Sequence, residues 1–210
     1  MSGYLCVSGE AERTEIIEKS RFVCYLKGIE NEEEAKAFVA AIKKKNSLAT
    51  HNCYAYIADE KGLVQKFSDD GEPQGTAGLP MLGALKSRGI YKTVAVVTRY
   101  FGGIKLGTGG LARAYGGAVA GALQSAKILD MQSADVYELT LDYDGYVKIA
   151  GGLKEPFIKV ISTDFSENVC IRFAVKNDEP RFYKQFSDLA LKMLKGRVDI
   201  TKTSSGFYCF

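Results

Sequence analysis

The chain has 210 residues, 46% of them hydrophobic, an ordinary share for a protein that buries a core, so a disordered chain is not described. A formal net charge of +3 is too small to name a partner by itself, and neither a run of about eighteen apolar residues nor a basic-then-apolar N-terminus points to a membrane span or secretion. Five widely spaced cysteines (Cys6, Cys24, Cys53, Cys170, Cys209) are odd in number and lack a C-x-x-C pair, which argues against a disulfide framework or zinc site and fits a reducing cytoplasm.

In chain order, residues 13–19 and 21–28 read as strands. A helix over about 32–45 follows. Asn31 suits its N-cap, Glu32 to Glu34 and Lys43 to Lys45 complement its dipole, and Ala35, Phe38, Val39 and Ile42 share one face. NCYAYIA (52–58) and LVQKF (63–67) read as a strand pair around DEKG, 78–88 as a helix, and TVAVVT (93–98) as a short, β-branched buried strand. A second long helix, about 109–126, carries Leu111, Tyr115, Val119 and Leu123 at intervals of four, and its small residues permit close packing.

From about 135 the pattern restarts. Tyr137, Leu139, Leu141 and Tyr143 alternate, and a short helix near 144–153 and a strand at 157–163 follow. Val169, Ile171, Phe173 and Val175 alternate in turn, then a helix carries Phe182, Phe186, Leu189 and Met193, and a last strand lies near 197–205. The order βαββαβ is the ferredoxin-like one. The expected class is therefore α+β, with an N-terminal βα domain over 1–133 and a ferredoxin-like domain over 134–210. The short stretch MQSAD (131–135) would be the junction.

Charge is unevenly spread. Residues 73–129 hold Lys86, Arg88, Lys92, Arg99, Lys105, Arg113 and Lys127 with no Asp or Glu, so the positive excess lies in the first part of the chain. Within this stretch, RYFGGIKLGTGGLARAYGGA (99–118) has seven glycines in twenty positions. Such a cluster costs conformational entropy unless the backbone needs positive φ or close approach. Thr108 is placed to cap a helix starting at Gly109, leaving the remaining first-turn N–H groups without intrahelical partners. With Gly109 and Gly110 free of side chains, these donors make an anion pocket. The helix terminus alone contributes roughly 0.3 to 2 kcal/mol toward an anion, so Arg99, Tyr100, Lys105 and Arg113 are expected to add contacts. Tight packing of loop on helix is the other reading of the glycines. A P-loop fails because Thr108 stands where its lysine should be, and the dinucleotide fingerprint fails because Gly107 lies too far from the preceding strand.

SDDGEPQGTAGLPM (68–81) is the second unusual stretch. Asp69, Asp70 and Glu72 precede a turn and then Thr76. Such carboxylates raise one another's pKa, hold Mg²⁺, or pair with cations such as Arg99 or Arg113. His51, the only histidine, shares a strand face with Cys53. A Cys/His catalytic pair and a hydrogen-bonded structural imidazole are both open, and no third orienting group is evident.

Three motifs in this order, ATHNCYAY (49–56), DDGEPQGTAG (69–78) and RYFGGIKLGTGGLARAYGGA (99–118), strongly resemble the IMPACT family, in particular its bacterial YigZ-like branch. The resemblance implies an N-terminal domain with the topology of a small-subunit ribosomal protein domain and of elongation factor G domain IV. It implies a C-terminal domain similar to that factor's domain V. The family is linked to translation, and its eukaryotic members are implied to regulate a translational kinase pathway through a protein partner. Matching positions give His51, Asp69, Asp70, Glu72, Thr76, Arg99, Tyr100, Lys105, Thr108 and Arg113 as candidate functional residues.

Three functions compete. A cytoplasmic binding module would recognise RNA or a ribosomal surface through the basic glycine-rich face, with Tyr91, Tyr100, Phe101 and Tyr115 among the cations to stack on unpaired bases. An enzyme acting on a small phosphorylated compound would use Asp69, Asp70 or Glu72 to bind Mg²⁺ or act as a base, with Arg99 stabilising developing charge. A regulator would bind a protein partner and no ligand. No cofactor, resident metal, membrane or DNA specificity is implied.

Overall fold

The computed structural model describes residues 3–151, 153, 156–177, 184, 187, 188 and 200–210. The chain divides into two compact units, Tyr4–Leu129 and Asp130–Phe210, the latter joined by the first residues. Gly3–Val7 (β1) precedes the antiparallel hairpin of Glu10–Ile17 (β2) and Ser20–Gly28 (β3). Glu32–Lys45 (α1), His51–Ile57 (β4), Gln65–Ser68 (β5), Gly78–Ser87 (α2), Thr93–Tyr100 (β6) and Gly107–Ser125 (α3) follow. The sheet of this unit runs β2-β3-β6-β4-β5, and each adjacent pair is antiparallel.

Both faces of that sheet are covered, which explains the unbroken apolar run of β6. Val94 and Val96 face α1 with its Ala35, Phe38, Val39 and Ile42, while Ala95 and Val97 face α2 and α3 through Met81, Leu85, Tyr115 and Val119. A strand buried on both sides cannot show hydrophobic alternation. The α1 bounds match the sequence reading because several local signals agree. The Asn31 side chain accepts from the Glu34 amide, and the charged ends complement the dipole.

In the second unit Ile128–Leu141 (β7), Tyr143–Ile149 (α4), Ile158–Phe165 (β8), Val169–Lys176 (β9) and Ile200–Tyr208 (β10) complete the order. β7 pairs with β10 and β9, and β9 with β8, all antiparallel. The Asp142 side chain caps α4 by accepting from the Gly145 amide at 2.7 Å. Leu139, Leu141, Ile149, Ile171 and Phe173 form its core. β7 runs straight through 131–135, with Gln132 to Asp135 paired to β10 along the ladder. Phe182, Phe186, Leu189 and Met193, expected on a second helix, lie outside the described residues. Among the described residues no helix is long and apolar enough to cross a membrane.

Candidate functional site

The ends of three strands bring the first group of candidates together. Arg99, near the end of β6, is in register with Phe22 on β3 and His51 on β4. Arg99 is buried, with 5% of the residue exposed. Its Nη1 donates to Glu72 Oε1 at 2.7 Å and its Nη2 to Ser20 Oγ at 3.3 Å, while Nε has no hydrogen-bond partner. Phe22 and Phe101 flank the guanidinium carbon, each with its ring centroid 5.4 Å away. The Tyr115 hydroxyl donates to the same Glu72 oxygen at 2.8 Å, and burial pushes its pKa far up, so the phenol stays protonated.

His51 borders this cluster. Its Nδ1 lies 2.8 Å from the Asp70 carbonyl oxygen, which can only accept, so Nδ1 carries the proton; Nε2 is 3.9 Å from Glu72 Oε1. The Cys53 thiol donates to the Asp69 carbonyl at 2.9 Å, and burial pushes its pKa up to about 12. Cys53 and His51 thus each bond a different backbone carbonyl of the acidic turn, and among the described residues no hydrogen bond joins them as a nucleophile–base pair.

The acidic turn is committed to local bonds. Asp69 accepts from the amides of Gly75 at 2.9 Å, Ala77 at 3.0 Å and Gly78 at 2.8 Å, capping α2 from a distance where Ala77 offers no side-chain cap. Asp70 accepts from Lys43 Nζ at 2.6 Å and from the Asn52 amide at 2.7 Å. Thr76 closes the turn by donating its hydroxyl to the Pro73 carbonyl at 2.6 Å. Desolvation pushes the Asp69 carboxyl up, but its three amide donors outweigh this and the net shift is downward. A lowered folded pKa stabilises above the unfolded value of about 3.9 and ceases to do so as pH falls through the folded one. Asp69→Ala is therefore expected to cost about 1–3 kcal/mol at pH 7, with the gap from wild type narrowing below about pH 4 in urea denaturation. An equal gap at pH 3 and pH 7 would show that the charge is not what the amides hold.

Lys105, Arg113 and the start of α3 lie apart from these acids. They line an open groove of about 470 Å³ with Ile17, Glu18, Ile104, Leu106, Gly110 and Ala114. Gly107, Thr108 and Gly109 are exposed, so the first turn of α3 faces solvent. Three expectations need correction. Thr108 is not the cap: α3 begins at Gly107, after Leu106, and has no side-chain cap, because Gly107 itself turns the chain at a φ of +67°. Arg99 does not line the groove, since Glu72 and Ser20 hold it inside. Of the aromatic side chains expected to stack on bases, Tyr115 is fully buried and Tyr100 is occupied, its hydroxyl donating to Asn46 Oδ1 and its ring covered by Arg21 at 4.2 Å. Phe101 remains exposed.

A contributor that sequence reasoning missed is Glu18. It sits with Lys19 in the two-residue β2–β3 turn, both at positive φ (+45° and +65°), where Asn and Gly are the usual occupants. Gly102 holds this turn: a Cβ there would lie 2.0 Å from the Lys19 carbonyl group, and its amide donates to Ser20 Oγ.

The stretch containing both motifs is also where known proteins agree with this chain. A family model, the Impact N-terminal domain, matches residues 18–123, from the Glu18 turn to the last turns of α3. YvyE of Bacillus subtilis, an IMPACT family member, is 42% identical over 200 residues, covering 95% of this chain and 91% of its own. This chain belongs to the IMPACT family. The IMPACT family member YigZ of Escherichia coli is 39% identical over 177 residues, covering 83% of this chain and 87% of its own. Protein IMPACT of Mus musculus is 33% identical over 94 residues, 42% of this chain and 29% of that protein. A crystal structure of a hypothetical protein, 34% identical, superposes with a TM-score of 0.62 over 97% of this chain and 98% of that one. The IMPACT match thus encloses the buried Arg99 cluster and most of the groove residues, Ile17 lying just outside it.

Proposed function

We propose that this IMPACT family member is a cytoplasmic, translation-associated binding protein that recognises RNA, or an RNA–protein surface such as the ribosome, through the groove at the start of α3. The observation that carries this reading is the uncapped, exposed first turn of α3 beside two cations, Lys105 and Arg113, that have no ion-pair partner among the described residues. Some other cations of the same unit are engaged, Lys43 with Asp70, Lys92 with Glu30 and Arg99 with Glu72, and what sets Lys105 and Arg113 apart is their place in the groove beside that turn. Amide donors at a helix start favour phosphate, and the flanking charges raise a contribution that is small alone.

The two units fit the same reading. The second has its first and third strands, β7 and β9, at the centre and β8 and β10 at the edges, which supports a ferredoxin-like domain. We place the domains at 1–133 and 134–210, and read the first as similar to elongation factor G domain IV, in keeping with the family's link to translation. The enzyme reading loses its machinery: Asp69, Asp70 and Glu72 are bound to amides, Lys43, Arg99 and Tyr115, and none lines the groove.

Titrating single-stranded RNA at several salt concentrations tests the proposal. For about four phosphates contacted, log K is expected to fall with log salt at a slope near −3, and removing both Lys105 and Arg113 by alanine substitution to reduce that slope by about 1.4. A salt-insensitive or absent signal, with no co-sedimentation with ribosomes, would overturn it.

A further inference from the structure

The groove has a feature that phosphate binding leaves unexplained. It contains a carboxylate, Glu18, from the β2–β3 turn, alongside Lys105 and Arg113, and among the described residues Glu18 has no ion-pair partner. A lone carboxylate beside phosphate-binding cations weakens non-specific binding by repulsion, so its place there calls for a donor on the ligand. The turn that carries Glu18 is preformed: its backbone sits at positive φ, and Gly102 packs on it so closely that a Cβ there would overlap the Lys19 carbonyl group. Ile17, Ile104 and Leu106 add apolar lining to the groove, and its volume of about 470 Å³ lies within the range of small-molecule sites.

One ligand unit matches all three parts. A nucleotide has a phosphate for the cations and the α3 amides, and a flat apolar face for aliphatic side chains. Its base edge must then offer donors to a carboxylate. Adenine and cytosine each place a ring acceptor beside their amino group, which repels the second carboxylate oxygen, and uracil has one N–H between two carbonyls. Guanine alone presents two adjacent donors, N1–H and the N2 amino group, matching the two oxygens of a carboxylate. Unpaired RNA leaves this edge accessible.

Building on the RNA reading above, we propose that the groove binds a guanosine phosphate unit of single-stranded RNA, with Glu18 accepting from the guanine edge, the base lying against Ile17, Ile104 and Leu106, and Lys105 and Arg113 holding the phosphate. This makes Glu18 a specificity-determining residue, distinct from the cations that supply affinity.

Fluorescence anisotropy with U-rich heptanucleotides carrying G, A, C or U at the centre tests it. The wild-type chain is expected to prefer the G oligomer by about fivefold or more, the lower end of discrimination by a bidentate contact. Glu18→Gln is expected to remove that preference while leaving or raising affinity for the other three, because it removes repulsion. Alanine substitution of Lys105 or Arg113 is expected to weaken all four alike. Uniform binding by the wild-type chain, or a G preference that survives Glu18→Gln, would overturn the guanine contact even where the cation variants still weaken binding and the RNA reading stands. Failure to bind any oligomer would overturn both. Guanosine monophosphate is included as a competitor; displacement as tight as that by the whole G oligomer would overturn the assignment to a strand and give the groove to a free nucleotide.

Discussion

Glu72→Ala is expected to destabilise the first unit by about 3–5 kcal/mol, the cost of leaving one charge of a buried pair without its partner. Both side chains are nearly inaccessible, 6% for Arg99 and 4% for Glu72, so water cannot replace the lost carboxylate. Arg99 already leaves Nε unpaired, and Glu72 also receives the Tyr115 hydroxyl. Removing it orphans two donors at once. Against a typical total of about 5–15 kcal/mol this is a large fraction, visible as a fall in the urea midpoint with little change in slope. The comparison that identifies the mechanism is the double variant Glu72→Leu with Arg99→Met. With no charge left inside, it is expected to recover much of the loss. Glu10→Ala, which breaks the exposed pair with Lys27, serves as the surface reference and is expected to cost less than about 1 kcal/mol. A similarly small loss for Glu72→Ala would mean that the cluster is open to water, and Arg99 would return to the candidates for ligand contact.

This cluster also shows where sequence reasoning stops. α1 is legible from end to end because its cap, its charged turns and its apolar face are all local features that agree. β6 is legible because a β-branched run between turn residues fits a strand whatever covers it. The candidate residues stand out in the sequence by type and motif, but their division into two places does not. Arg99, Lys105 and Arg113 look alike in a cation-rich stretch. Only the register of β6 with β4, and the return of the acidic turn, puts Arg99 against Glu72, 27 positions away in the chain. The start of α3 was misjudged for a related reason: Thr is a good N-cap by type, yet Gly107 turns the chain first. Glu18 left no signal, since a Glu-Lys pair is not what a turn with two positive φ angles usually contains.

The seven glycines that make the 99–118 stretch conspicuous do different jobs, and two substitutions of the same kind are expected to have opposite signs. Gly102→Ala puts a Cβ 2.0 Å from the carbonyl carbon and oxygen of Lys19 and 2.5 Å from the Ser20 amide nitrogen. These are backbone atoms of a tight turn, so no side-chain rotation relieves the overlap, and the loop or the hairpin must move. Overpacking of this kind costs typically about 1–3 kcal/mol and occasionally more. The displacement would break the Gly102 bond to Ser20, whose hydroxyl also receives Arg99, so the high end of that range is expected. Gly117 is the opposite case. It lies inside α3, is exposed, and a Cβ there meets nothing within 4 Å. Gly117→Ala adds no clash and removes backbone freedom from the unfolded chain, so it is expected to raise stability by about 0.5–1 kcal/mol. Urea denaturation of the two variants beside the wild type separates close approach from mere helix packing. Were Gly102→Ala neutral, the loop would not be seated on the hairpin, and the turn that carries Glu18 would lose that support.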